Sequence, residues 1–226
     1  RVPCAARPSR GVVVLGRGPP DDDLVGVGAG FEPGTGVMAY RAGLCPMGIG
    51  DDGGPPTGWW SPDPRGVLLP GDLKISGSLR KSLRQFEIRV DSAFADVIEA
   101  CADPTRDGRW ITADVIAAYT RLHELGWAHS VEAWRDGELQ GGLYGLCLGG
   151  LFAGESMFHR ATDASKCALV GLAERVFADG DLRRIIDVQW ATPHLASQGV
   201  TEISRSDYVS RLGRALPLPP PAGFAG

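Results

Sequence analysis

The chain has 226 residues, of which 43% are hydrophobic and 22% are charged, and its formal net charge is −4. This length is sufficient for one large or two small domains with a buried core. The negative balance excludes non-specific nucleic-acid binding through the whole surface and leaves only a local basic patch for such a role.

Cysteine and histidine usage bears on compartment and cofactors. The five cysteines include no CxxC pair, and the four histidines show no HxxxH or HExxH spacing. Reduced thiols in a cytoplasmic protein fit this pattern better than a disulfide framework or a metal site. No apolar run approaches the roughly 20 residues that span a bilayer, so we expect a soluble protein with no metal and no membrane partner.

Residues 1–63 are expected to form a small, irregular N-terminal domain. They are rich in Gly, Pro and Asp, with the runs GPPDDD and DDGGPPTG that are typical of loops. Trp59 and Trp60 precede two prolines and therefore belong to the end of a strand, where their side chains point to opposite faces. We expect one of them to be core and the other to line a cleft.

A basic run lies between residues 74 and 89. Its cations are Lys74, Arg80, Lys81, Arg84 and Arg89. On a helix that starts at Ser78, Arg80 and Arg84 are i, i+4 neighbours, with Lys81 beside them. Such a run is either a solvated face or a contact surface for a phosphate backbone.

Two amphipathic helices are predicted next. The buried stripe of the first consists of Phe94, Val97, Ile98 and Cys101. Thr112 is placed to cap the second helix, and Gly126 is placed to end it.

A meander of three strands is predicted around the turn signals Asp136-Gly137 and Gly149-Gly150, which separate apolar runs. A helix follows, which we expect Asp163 to cap and Gly180 to end. A fourth strand is predicted from Arg184 to Trp190 because apolar and polar residues alternate there.

Three polar side chains are expected on these interior strands. Glu155 lies in the apolar segment LFAGESMF, where an unpaired carboxylate would be costly. Asp187 and Gln189 are two residues apart on the last strand and are expected to share one face. Two carboxylates and an amide together suit the binding of a cationic amine and the handling of its proton. The alternative is a buried hydrogen-bonded network that binds no substrate.

The order of three strands, a helix and a fourth strand resembles the core of the GNAT acyltransferase fold. We therefore expect an α+β protein with a small N-terminal domain and, over residues 64–226, a GNAT-like domain with a mixed, mostly antiparallel sheet.

An acyl-CoA N-acyltransferase of this kind would carry an R/Q-x-x-G-x-G/A loop before the helix, where the chain has HRATDASK. A non-catalytic RNA-binding module would give no reason for Glu155, Asp187 and Gln189 on interior strands. Both remain alternatives.

Residues 58 to 209 resemble the leucyl/phenylalanyl-tRNA protein transferase family. The segments that carry the resemblance include WWSPDPRGVLLP, SGSLRKSL, AYTRLHELGWAHSVEAW, LFAGESMF, IDVQ and TPHLASQG. The resemblance implies transfer of Leu or Phe, with Met as a further candidate, from aminoacyl-tRNA to proteins that begin with Arg or Lys, feeding N-end-rule degradation. It implies no cofactor, because an aminoacyl ester is already activated. We also expect a monomer.

The resemblance implies roles for individual residues. Asp187 would hold Gln189, Gln189 would orient the attacking amine, and Asp187 or the leaving ribose oxygen would take the proton. Glu155 would fix an ammonium group of donor or acceptor. The residues matching the aminoacyl and adenosine pocket are Met47, Trp59, Trp110, Leu143, Phe152, Ser156, Met157 and Leu172, of which Met47 and Leu172 stand at usually aromatic positions. The residues matching the tRNA-binding cluster are Lys74, Arg80, Lys81 and Arg84.

Overall fold

The computed structural model describes residues 13–14, 23–28, 30–105 and 109–224. The first part of the chain forms a four-stranded antiparallel sheet and one helix. Its elements are β1 (Val13–Val14), β2 (Leu24–Val27), α1 (Pro33–Arg41), β3 (Cys45–Gly48) and β4 (Thr57–Trp60), and the strand order is β1-β2-β4-β3.

A second sheet has seven strands in the order β11-β5-β10-β9-β8-β7-β6. The strands are β5 (Arg65–Leu68), β6 (Glu87–Val90), β7 (Ala128–Arg135), β8 (Glu138–Leu148), β9 (Leu151–His159), β10 (Ile185–Gln189) and β11 (Thr201–Ile203). Neighbouring strands are antiparallel except for β9 and β10, which are parallel. The prediction of a protein with both helices and strands, and with a mixed, mostly antiparallel sheet, is confirmed.

Six further helices accompany this sheet. They are α2 (Gly77–Leu83), α3 (Phe94–Cys101), α4 (Ala113–Glu124), α5 (Ala164–Val176), α6 (Pro193–Ala196) and α7 (Arg205–Ala215). Within the described residues, no helix is long and apolar enough to cross a membrane.

The meander follows from its turns. Asp136 and Gly137 both have positive φ, 54° and 79°, as a two-residue hairpin between β7 and β8 requires. Gly149, at φ 62°, begins the next turn, between β8 and β9. Both predicted hairpins are confirmed.

The helices cover the sheet on two sides. Tyr144, Leu146 and Leu148 of β8 pack in the same cluster as the buried stripe of α3, while Leu143 and Cys147 pack with α5. This division follows the alternation of side chains along a strand. The predicted stripe of α3 is confirmed in full, since all four of its residues are buried.

Two predicted helix ends differ in detail. Asp163 does occupy the N-cap position of α5, but its backbone is left-handed and its side chain makes no capping hydrogen bond. Its carboxylate instead accepts a hydrogen bond from Ser82 and pairs with Lys166. The helix ends at Val176, before Gly180.

Where the structure describes residues 1–63, it shows a four-stranded sheet and a helix rather than the irregular arrangement that was expected. The helix α1 begins at Pro33, which a helix tolerates in its first turn because the missing N–H would have no partner there. Tyr40 of this helix is buried, at 1% exposure. Its hydroxyl reaches Glu155 of the second sheet.

Candidate functional site

A cavity of about 330 Å³ opens where the parallel strands β9 and β10 end. Its wall is apolar and comes from β8, β9, α5, β10 and α6. The apolar lining residues are Leu143, Met157, Leu169, Leu172, Ile186, Val188 and Leu195. We call this cavity the apolar pocket. Three predicted pocket residues, Leu143, Met157 and Leu172, lie in it, and the predicted Ser156 lies at its edge.

Polar groups line the rest of the apolar pocket. They belong to Glu155, Ser156, His159, Ser165, Gln189, Thr192 and His194. Thr192 caps α6 by accepting a hydrogen bond from the Leu195 N–H, and this short helix carries His194. Burial lowers the pKa of His194 below its ordinary value of 6.5. Sequence analysis gave no role to this segment, and its Thr-Pro start, a helix N-cap signal, could have indicated a short helix here.

Glu155 is the carboxylate of the apolar pocket. Its Oε1 accepts a hydrogen bond of 2.6 Å from the Tyr40 hydroxyl, and the Tyr40 and Tyr119 hydroxyl oxygens are 2.5 Å apart. Burial raises the pKa of Glu155 from 4.5 to about 7, although both tyrosine hydrogen bonds work in the opposite direction. A carboxylate with this pKa can hold or release a proton near neutral pH.

Gln189 is the amide of the apolar pocket. Its backbone is left-handed, with φ 57°, and the pairing of β10 with β5 shifts register between Asp187 and Gln189. Its side chain is 6% exposed, and the Nε2 atom is buried without a hydrogen-bond partner. An unsatisfied buried donor is costly, so the Gln189 Nε2 atom is available to donate to an acceptor.

Asp187 does not line the apolar pocket. Its carboxylate is fully buried and accepts two hydrogen bonds from the Arg65 guanidinium, at 2.9 and 2.7 Å, and one from the Tyr208 hydroxyl at 2.8 Å. The Gln189 backbone N–H is a fourth donor, at 3.0 Å. The expectation that Asp187 and Gln189 project side by side into one hollow is therefore wrong, because the irregularity at Gln189 breaks the strand alternation.

Arg65, the buried partner of Asp187, is a residue that the sequence did not single out. It begins β5, is fully buried, and donates a further hydrogen bond from Nη1 to the Gly43 carbonyl at 3.2 Å. The sequence does contain an indication of this role in packing, because Arg65 directly precedes the apolar run GVLL. A charged side chain beside a buried strand needs a partner of opposite charge.

Two predicted pocket residues belong to the core instead. Trp59 is 1% exposed, and its indole N–H donates to the Gly28 carbonyl. Phe152 is fully buried and packs against Phe224 with ring centroids 5.3 Å apart. Both side chains contribute packing and neither lines a described pocket, so the structure does not bring these two residues to the apolar pocket.

Trp110 and Met47 lie in neighbouring cavities. Both line a cavity of about 300 Å³ between the first sheet and α4. Trp110 and Ser156 also line a polar cavity of about 380 Å³. Ser156 therefore connects the polar cavity with the apolar pocket.

The predicted tRNA-binding residues Lys74, Arg80, Lys81 and Arg84 are all exposed. The last three lie on α2 and its C-terminal end, and the helix packs against α5. Ser82 of α2 donates a hydrogen bond of 2.9 Å to Asp163, which pairs with Lys166 at 3.1 Å. Lys166 lies near enough to His194, which lines the apolar pocket, for its charge to help lower the pKa of His194. Because α2 contacts Lys166 through Asp163, α2 lies beside the rim of the apolar pocket.

An apolar pocket, a carboxylate that titrates near neutrality and an unsatisfied amide together define a site for group transfer to an amine. A family model described as leucyl/phenylalanyl-tRNA protein transferase matches residues 67–213. The chain belongs to this family, and the resemblance stated from the sequence is confirmed.

Named relatives agree with the family model. A leucyl/phenylalanyl-tRNA protein transferase of Azoarcus sp. strain BH72 is 50% identical over 208 residues, which cover 90% of this chain and 86% of that protein. Proteins with the same name from Nitrosomonas europaea and Aromatoleum aromaticum are 50% and 51% identical and cover 87% and 84% of this chain. The alignments span 83% and 80% of those two relatives.

Proposed function

We propose that this protein is an aminoacyltransferase that moves Leu or Phe from the 3′ end of aminoacyl-tRNA to the α-amino group at the N-terminus of a protein. The observation that carries the proposal is the apolar pocket, whose wall of leucine, methionine and isoleucine side chains meets Glu155 and Gln189 at one end. Membership of the family supports the same reaction.

The apolar pocket would select the donor by burial. Leu143, Met157 and Leu172 present no hydrogen-bonding group except the weakly accepting thioether of Met157, so a polar side chain packed against these three residues would lose its water without compensation. Each buried methylene is worth about 0.8 kcal/mol, which favours Leu and Phe over smaller apolar residues. Met is compatible with the same wall.

Glu155 would receive the acceptor amine. A terminal ammonium has a pKa of about 8, roughly one unit above that of Glu155, so proton transfer from the ammonium to the carboxylate costs only about 1.4 kcal/mol. Since the four donors to Asp187 engage both of its oxygens, Asp187 holds Gln189 and takes no proton. We therefore assign the proton to Glu155 or to the leaving ribose oxygen, and not to Asp187.

Gln189 would act on the reacting atoms through both ends of its amide. Oε1 accepts a hydrogen bond from the attacking amine, and Nε2 donates one to the ester carbonyl oxygen as negative charge develops there. The nitrogen–carbon bond forms, the bond from carbon to the ribose oxygen breaks, and that oxygen takes the second proton of the amine. No metal, ATP or acyl-CoA is required.

The tRNA would approach over α2. Arg80, Lys81 and Arg84 are exposed beside the pocket rim, and Lys74 precedes the helix, where phosphates of the acceptor end can meet them. The terminal adenosine would lie near Trp110 and Met47. Met47 offers a thioether where a ring would stack, so we expect weaker stacking of this base.

The finer fold assignment is also a proposal. The order β7-β8-β9-α5-β10, with its parallel β9–β10 pair, supports a GNAT-like core, and the change of sheet between Trp60 and Arg65 supports a domain division near residue 63. We propose a monomer that works in the cytoplasm on proteins beginning with Arg or Lys and feeds N-end-rule degradation.

The test is a transfer assay. tRNA charged with radiolabelled Leu or Phe is incubated with the enzyme and a peptide that begins with Arg, and label is counted in the peptide. Matched peptides begin with Lys, with Ala, or with an acetylated Arg, which lacks the nucleophile. Label in the Arg and Lys peptides alone supports the proposal, whereas transfer that survives RNase treatment of the donor, or transfer from acyl-CoA, contradicts it.

A further inference from the structure

A buried network of three residues lies directly behind Gln189. Arg65 comes from β5, Asp187 from β10 and Tyr208 from α7, and each is no more than 1% exposed. Arg65 and Tyr208 both donate to Asp187, and the Arg65 guanidinium also lies 4.5 Å from the centroid of the Tyr208 ring. Three separate elements therefore fix the position of one carboxylate.

The network ends on the backbone of Gln189. Asp187 Oδ1, which accepts from Arg65 Nε, also accepts from the Gln189 N–H at 3.0 Å. The left-handed backbone of Gln189 is unfavourable for a residue with a side chain, so it persists only where neighbouring groups hold it. The hydrogen bond from the Gln189 N–H to the Asp187 carboxylate stabilises this backbone conformation. It can do so only while the carboxylate itself is held in a fixed orientation.

The opposite side of Gln189 is held by β5. Gly66 pairs with Gln189 in the sheet, and a Cβ on Gly66 would lie 2.7 Å from the Ala191 nitrogen. The next residue, Trp190, closes a tight turn by donating its N–H to the Val188 carbonyl at 2.7 Å. Gln189 is thus enclosed between the strand that carries Arg65 and the carboxylate that Arg65 binds.

We infer that Arg65 and Tyr208 are positioning residues for the transfer reaction, which act through Asp187 to aim the Gln189 amide at the reacting ester. The inference rests on the proposed function. It separates two tasks: the apolar pocket binds the donor, while the buried network sets the rate at which bound donor reacts. Loss of the network should therefore lower kcat and leave the KM for aminoacyl-tRNA unchanged.

The mildest test is Tyr208→Phe, which removes one donor to Asp187 and keeps the ring that packs on Arg65. We expect kcat to fall about tenfold, with an unchanged KM for Leu-tRNA. A matched pair of arginine variants extends the test. Arg65→Lys loses the two-pronged contact with Asp187. The control Arg184→Lys changes another buried arginine, whose partner Asp179 is half exposed and lies before the other end of β10. Only Arg65→Lys should lower kcat.

A double-mutant cycle with Gln189→Ala decides whether the effect passes through Gln189. If Tyr208 acts by aiming this amide, Tyr208→Phe lowers the single-turnover rate of the wild type but not that of the Gln189→Ala protein. Equal losses in both backgrounds, or a raised KM with unchanged kcat, overturn the inference. Failure of the wild type to transfer label would instead overturn the proposed function, so the two failures are distinguishable.

Circular dichroism and thermal melts of each variant identify any unfolded protein. If Arg65→Lys does not fold, Tyr208→Phe alone is sufficient for the test.

Discussion

Tyr40 in α1 donates a hydrogen bond of 2.6 Å to Glu155 on β9, across 115 positions of sequence. This contact joins the helix of the first sheet to the carboxylate of the apolar pocket. The proton affinity of the site is therefore determined jointly by the two sheets.

The first prediction concerns Tyr40→Phe. The Tyr40 hydrogen bond lowers the pKa of Glu155 against the effect of burial, so its removal should raise that pKa further above about 7. The limb of the pH profile of kcat/KM that belongs to Glu155 should move to higher pH. Glu155→Gln should lose this limb and keep the one near pH 8 that belongs to the acceptor amine. An unmoved limb in Tyr40→Phe would contradict the assignment.

The second prediction concerns stability. The folded protein holds the Glu155 proton more tightly than the unfolded chain, because the pKa rises from 4.5 to about 7. This contribution to the free energy of unfolding is fully present below pH 4.5 and is lost as the pH rises through about 7. Urea titrations at pH 5 and pH 8 should show a larger loss of stability in the wild type than in Glu155→Gln. Identical pH dependence in the two proteins would refute the buried-acid explanation.

The third prediction concerns donor choice. Leu172 lines the apolar pocket and is 1% exposed, so Leu172→Phe should fill part of the space that a donor ring needs. We expect the ratio of kcat/KM for Phe-tRNA to that for Leu-tRNA to fall by about tenfold. The control Leu182→Phe changes a leucine that is 76% exposed and remote from this pocket, and it should leave the ratio unchanged. Equal ratios of kcat/KM in both variants would show that Leu172 does not limit the space for the donor side chain.

The fourth prediction concerns tRNA affinity. Arg80 is exposed on α2, and Arg80→Ala should raise the KM for aminoacyl-tRNA without changing the single-turnover rate. The dependence of log affinity on log salt concentration should become shallower by about 0.7 to 0.9 if one phosphate contact is lost. Arg121→Ala removes another exposed arginine, which pairs with Glu124 on α4, and serves as the control. An unchanged salt slope in Arg80→Ala would identify α2 as a merely solvated face.

Sequence reasoning predicted the parts of the fold that depend on local chemistry. The Asp136-Gly137 turn needs positive φ at two adjacent residues, and the stripe of Phe94, Val97, Ile98 and Cys101 needs only helical spacing, so both were readable from the chain. Three pocket residues, Leu143, Met157 and Leu172, came from the family resemblance and do line the apolar pocket.

The parts that escaped prediction depend on long-range packing. The local sequence does not predict that the side chain of Gln189 departs from the alternation of the strand, because the register shift arises from pairing with β5. Likewise, Trp59 and Trp60 were equivalent in the sequence, and only the packing of Trp59 against Phe31 and Gly28 makes it the buried one. Arg65 and Tyr208 meet Asp187 only after the sheet has formed, which sequence spacing cannot reveal.

The close approach at Gly66 has a practical consequence for engineering new donor ranges. A library that varies the leucine and methionine wall can reshape the volume offered to the amino acid while the chemistry stays in place. Any side chain at Gly66 would push against the Ala191 nitrogen and displace the turn that presents the amide. We therefore expect substitutions along α5 and β8 to change the donor range without loss of the reaction, whereas a side chain at Gly66 of β5 should impair the reaction itself.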